Sequence, residues 1–191
     1  MNTQEIQAIL KEKLGEYRYY HTMCVAEEAK KLAARYGADE EKAYFAGLLH
    51  DILKDIPKEE QLKILQDSDV PLDETALASP YVWHGWAAAV YIRSRLHVED
   101  DEIISAVRVH TTGRKDMTLL DKIVYIADFV SKDRTYDSVE IFRQSAYSDL
   151  NKTVYEALRY TIADLTEKNR PICADTFLAY NQYALLFKED Q

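Results

Sequence analysis

Six side chains that bind metals well lie among mostly apolar neighbours in this sequence. They are His21 in EYRYYHTMCVAEE, His50 and Asp51 in GLLHDILKD, His84 in WHGWAAA, His110 in VHTTG and Asp128 in LLDKIVYIADFV. Any one such histidine alone reads as a satisfied core residue. Four of them on different predicted helices, together with two carboxylates in apolar surroundings, do not, because a buried carboxylate without a partner is costly and a metal ion is one of few adequate partners. Imidazole nitrogen with carboxylate oxygen suits Fe, Mn, Co, Ni or Zn better than Mg or Ca. Six ligands exceed what a tetrahedral structural zinc site uses. They fit one ion with two histidines left outside its coordination, or a pair of ions bridged by Asp51 and a hydroxide. Either arrangement lowers the pKa of bound water and polarises a phosphoryl oxygen.

Helices must bring these residues together. Apolar spacing and end signals predict helices over about 3–14, 17–36 (ended by Gly37), 39–56 (ended before Pro57), 58–66, 73–78, from after Pro80 to about Leu96, 99–111, 117–131, 149–168 and 174–188. Alternating strand patterns are absent, so the fold class is all-α. In AYFAGLLHDILKD, residues Ala43, Ala46, Gly47, His50 and Lys54 share one predicted face. The small residues admit a second helix, and Lys54 points into the same cleft. Leu48, Leu49, Ile52 and Leu53 cover the other faces. Arg18 lies three residues before His21, on the same side. The fifth histidine, His97, ends the helix YIRSRLHVED and reads as a cation at a helix C-terminus.

Length and composition bound the remaining classes. A chain of 191 residues reads as one domain over 1–191, with its core at about 17–135 and the helices of 149–188 completing it. A net charge of −9 argues against general affinity for nucleic acid or anionic lipid, so a phosphate substrate needs concentrated local positive charge. No signal peptide and no membrane-spanning stretch is visible. Cys24 and Cys173 form no CxxC pair, and a reducing cytoplasm is the expected compartment. Most of the 14 tyrosines, including the Tyr17, Tyr19 and Tyr20 cluster and Tyr81 beside Trp83 and Trp86, are expected to pack helices, although one of these aromatics would also serve adenine stacking. The amphipathic N-terminal helix is expected to pack on the domain or on a second subunit, so a homodimer is compatible with the sequence.

The order His21, His50-Asp51, Asp128 resembles the HD-domain superfamily of metal-dependent phosphohydrolases. The longer pattern of RYYH, HDILKD, WHGWAAA, HTTGRKDM and IADFVSKDR is similar to the YqeK family, bacterial HD-domain symmetrical hydrolases of diadenosine tetraphosphate, from about residue 17 to PICADTFLAYNQY. The resemblance implies an HD-domain helical bundle, a non-haem iron site of one or two ions with Mn or Co as substitutes, a nucleotide substrate, and cleavage to two ADP. It assigns the principal metal to His21, His50, Asp51 and Asp128. His84 and His110 would face the substrate, touching its phosphates directly or through a second metal, with either able to act as general acid. Lys54 would lie near the phosphates, and Thr111, Arg134 and Cys173, Ala174, Asp175 and Thr176 would touch the nucleotide. His21 and Asp128 would also border the substrate. After IADF the family leads one to expect a Glu-Pro-like turn; this chain has Val130-Ser131-Lys132-Asp133 instead, with Arg134 at the expected place.

Two other readings compete. Another HD enzyme, such as a nucleoside monophosphatase, a triphosphohydrolase or an alarmone hydrolase, shares the four principal ligands. A non-catalytic nucleotide sensor would bind without turnover, but the intact ligand set argues for catalysis.

Overall fold

The computed structural model describes residues 2–188. Within them the chain is all-α, as its periodicity predicts, with eleven helices and no strand. They are α1 (Thr3–Lys13), α2 (Glu16–Tyr36), α3 (Glu40–Leu49), α4 (Lys58–Gln66), α5 (Glu74–Leu77), α6 (Trp83–Ser94), α7 (Asp101–Val109), α8 (Leu119–Val130), α9 (Val139–Ser148), α10 (Leu150–Glu167) and α11 (Ala174–Leu186). Their starts follow local chemistry. Asp39, Asp100, Thr118 and Asp149 each accept a hydrogen bond from a first-turn backbone N–H, satisfying donors that the helix itself leaves free. Gly37 ends α2 in the left-handed region at φ 71, where a Cβ would be strained.

Helix α2 runs along α3 and α8, α7 bridges α3, α6 and α8, and α10 covers α8 from the C-terminal side. Leu32, Leu48, Leu49, Ile52, Ile92, Ile123, Ile126 and Leu158 are fully buried where these helices meet. Each such side chain contributes about 1.5–3 kcal/mol by leaving water. Ile6 and Leu10 of α1 are buried against the same body, so α1 packs on its own chain.

The structure corrects three sequence expectations. The predicted helix through Ile56 ends at Leu49, and residues 50–56 continue as tighter turns, with Ile52 donating to Leu49 O at 3.2 Å and Lys54 to Asp51 O at 2.9 Å. The reason is local: the Gly47 carbonyl, which a continuing helix would use for its next turn, is met by His50 Nδ1 at 2.7 Å. The helix expected to reach residue 111 likewise ends at Val109, with His110 Nδ1 2.7 Å from Val107 O. Helix α9 was not expected; its apolar face is only Val139, Phe142 and Ala146, and its stability comes from packing on α8 and α10. His97 lies beyond α6, exposed and with φ 54.

Candidate metal centre

Four helices and the turn after α3 supply the cluster. His21 sits within α2, fully buried. His50 and His110 occupy the C-caps of α3 and α7, ends where the backbone carbonyls favour positive charge. His84 lies in the first turn of α6, and Asp128 in the last turn of α8. Asp51 follows His50 directly, its side chain 3% exposed.

Asp51 stands between two pairs of imidazoles. Its Oδ2 lies 3.6 Å from His50 Nε2 and 3.9 Å from His21 Nε2, while Oδ1 lies 3.2 Å from His84 Nε2 and 3.6 Å from His110 Nε2. His21 Nε2 also lies 3.1 Å from Asp128 Oδ1, and the Nε2 atoms of His84 and His110 are 3.1 Å apart. Donor atoms fall into three groups within 4.8 Å: His21, His50 and Asp51; His50, His110 and Asp128; and Asp51, His84 and His110. His21 Nε2, His50 Nε2 and Asp51 Oδ1 are buried with no hydrogen-bond partner. Buried polar atoms are almost always satisfied, so three converging orphans fit a divalent cation.

Burial drives His50 down to about 4 and His84 to about 3, leaving both neutral, with lone pairs available, at neutral pH. Burial also opposes protonation of His21, but the negative charge of Asp128, 3.1 Å from its Nε2, outweighs that and raises its pKa. For Asp51, burial is outweighed by His50, by the Lys54 ammonium and by the His110 and His84 rings beside it, so the carboxylate ionises well below its usual range. Arg134 and His21 do the same for Asp128 against the cost of burial.

The remaining expected site residues divide. Lys54 Nζ lies 3.0 Å from His84 Nε2, inside the cleft, and Thr111 Oγ1 lies 3.2 Å from the same nitrogen. Arg134 grips Asp128 through its carboxylate and, at 2.8 Å, its backbone carbonyl. Cys173 and Thr176 are buried at the start of α11, beside α6 and α7; Ala174 is exposed. Asp175 is held by Arg108 Nη2 at 3.1 Å rather than turned to the cluster. Trp83 and Trp86 are packed, with Trp83 Nε1 donating to Ala76 O at 2.7 Å, whereas Tyr17 and Tyr20 are exposed. Two further residues belong to the centre. Arg18 Nη1 reaches Asp51 Oδ2 at 2.7 Å, a contact foreshadowed by its spacing from His21. Asp133 Oδ2 meets His21 Nδ1 at 2.7 Å, and nothing in the sequence announced it.

A helical bundle with this His and Asp cluster defines a class. The HD-domain family model matches residues 18–133, and the chain belongs to the HD-domain family. Over nearly its whole length it is similar to the Bis(5'-nucleosyl)-tetraphosphatase, symmetrical, of Bacillus subtilis, with 39% identity over 95% of this chain and 97% of that one. The enzyme of the same name from Halalkalibacterium halodurans is 37% identical over 97% of this chain and 98% of the relative. A predicted HD superfamily hydrolase involved in NAD metabolism from Clostridium acetobutylicum has a crystal structure that superposes with a TM-score of 0.94. It is 33% identical and covers 97% of this chain and 98% of that chain. Among the described residues no helix is long and apolar enough to cross a membrane.

Proposed function

We propose that this chain hydrolyses diadenosine tetraphosphate symmetrically to two ADP, using one or two divalent metal ions, with non-haem iron as the native metal and Mn or Co as substitutes. The observation that carries the reading is the buried set of unpartnered donors around Asp51, in a chain similar end to end to enzymes named for that activity. His21, His50, Asp51 and Asp128 would hold the principal ion, with His84 and His110 available to a second ion or to the phosphates. When bound, the metal supplies Lewis acidity, lowering the pKa of a water and polarising a phosphoryl oxygen.

The chain's own groups account for the remaining work. Water oxygen bonds to one inner phosphorus, giving up its proton to solvent, as the bridging P–O bond to the other inner phosphate breaks, so both products are ADP. Lys54, beside His84, brings a fixed positive charge to the oxygens that gain negative charge. ADP leaves as an oxyanion that needs charge neutralisation more than a proton. Lys54 supplies that neutralising charge, and His84, which burial keeps neutral, would keep its lone pair for a metal. Arg134 would exchange part of its contact with Asp128 for a phosphate oxygen. Thr111 beside His84, and Cys173–Thr176 where α11 meets α6 and α7, would line the nucleotide path, with the C-terminal helices completing the domain. The reading places the enzyme in the cytoplasm, where free Cys24 and Cys173 stay reduced.

Chromatographic product analysis tests this. Purified protein given diadenosine tetraphosphate with iron, manganese or cobalt is expected to yield ADP as sole product, with turnover lost on chelation and in His50→Ala. ATP plus AMP would reject symmetrical cleavage, and nucleotide binding without turnover would favour a sensor.

A further inference from the structure

We propose that Asp133 is the positioning residue that sets the ring orientation and tautomer of His21, an inference that rests on reading His21 as a metal ligand. The histidines differ in how their second ring nitrogen is held. His50 and His110 sit at helix ends and turn Nδ1 to carbonyls of their own preceding turn, Gly47 O and Val107 O, each at 2.7 Å. His21 lies inside α2, where the preceding carbonyls are engaged by the helix itself, so its Nδ1 needs a partner from elsewhere. That partner is Asp133 Oδ2 at 2.7 Å, from 112 residues further along the chain.

Asp133 is built to hold still. Its side chain is 3% exposed, and its other oxygen accepts from Ser131 Oγ at 2.8 Å. The loop carrying it is fastened by Arg143 of α9, which donates to Val130 O at 2.9 Å, Ser131 O at 2.7 Å and Arg134 O at 2.9 Å. A carboxylate can only accept, so Nδ1 carries the ring proton and the Nε2 lone pair is left for a metal. Nε2 is the atom that faces Asp51 and Asp128 and has no hydrogen-bond partner. Carboxylate support of a ligating imidazole both fixes the tautomer and strengthens the ligand. The Ser131-Lys132-Asp133 sequence, which departs from the expected Glu-Pro-like turn, thus supplies a carboxylate to the centre.

Asp133→Asn is the test, because the near-isosteric amide can turn its NH2 to Nδ1 and force the proton onto Nε2. Zinc affinity measured by competition with a chromophoric chelator is expected to fall about 10- to 100-fold. Imidazole nitrogen–proton correlation spectra of the metal-free protein at pH 8 are expected to show the His21 proton moving from Nδ1 to Nε2. A merely structural role would lower the melting temperature and leave tautomer and affinity in place, which would overturn the inference. Should Asp133→Asn not fold, Ser131→Ala decides: it frees one Asp133 oxygen and is expected to weaken zinc binding several-fold, and unchanged affinity rejects the proposal. Wild-type protein that binds no zinc would remove the reading of His21 as a ligand, and this inference with it. Tight wild-type binding equalled by Asp133→Asn would remove this inference alone.

Discussion

Gly47 and Ala26 meet so closely that a β-carbon on Gly47 would lie 2.7 Å from Ala26 Cα and 3.1 Å from its backbone nitrogen. This contact sets how near α2 comes to α3, and with it the separation of His21 from His50, whose ring centroids are 5.5 Å apart. Gly47→Ala meets backbone that cannot rotate away. It is expected to cost about 1–3 kcal/mol in chemical denaturation, the usual penalty for overpacking, and to weaken metal binding as the two histidines separate.

Gly85 plays a gentler version of the same part. A β-carbon there would lie 3.0 Å from His110 Cε1 and 3.2 Å from its Nδ1, while Arg108 O is 3.3 Å away. Gly85→Ala therefore pushes on an imidazole more than on backbone. We expect a stability loss of about 1 kcal/mol, the low end for overpacking. Turnover should fall about 10-fold or more through displacement of His110, given how steeply catalysis depends on placement. Comparing the melting temperature with kcat separates the two effects.

Asp51 is the carboxylate that faces all four histidines, and Arg18 and Lys54 offset its charge. Asp51→Asn should remove metal-dependent turnover by roughly 10³-fold, the equivalent of about 4 kcal/mol of lost transition-state stabilisation. Metal content measured by atomic emission on the purified variant should fall in parallel. Retained activity would argue that Asp51 supports the fold and not the chemistry.

Acid should destabilise the metal-free protein. His50 and His84 have folded pKa values lowered to about 4 and about 3, so below the unfolded value near 6.5 the unfolded chain binds protons that the native one refuses. Their stabilisation is complete above pH 6.5 and is lost as pH falls toward 4. His21, with its raised pKa, acts in the opposite sense and recovers part of the loss. In chelator, a net decrease on the order of 2 kcal/mol is expected from pH 7 to pH 5. A melting temperature lower by about 4–8 °C would register it.

Metal should reverse this fragility. The buried atoms His21 Nε2, His50 Nε2 and Asp51 Oδ1 have no hydrogen-bond partner, and a bound cation would satisfy them. Manganese or zinc at about 100 times its dissociation constant should add about 2.7 kcal/mol at pH 7.5. Calorimetric melting in chelator and with added metal measures the gain, and identical curves would reject a site at these residues.

The sequence by itself determined the helices with strong apolar periodicity or clear caps, α2 and α8 among them, because their signals lie within a few residues of one another. It also singled out His21, His50, Asp51, His84, His110 and Asp128, since a His or Asp amid apolar neighbours is conspicuous without any coordinates. Tertiary structure alone decided what depends on contacts across the chain. Helix α9 was not read from the sequence, yet Arg143 on it fastens the loop that carries Asp133. The early end of α3 reflects competition between the His50 imidazole and the backbone for one carbonyl, which residue spacing does not encode. Asp133 reads in the sequence as an ordinary polar loop residue, and only packing across 112 positions turns its carboxylate toward His21.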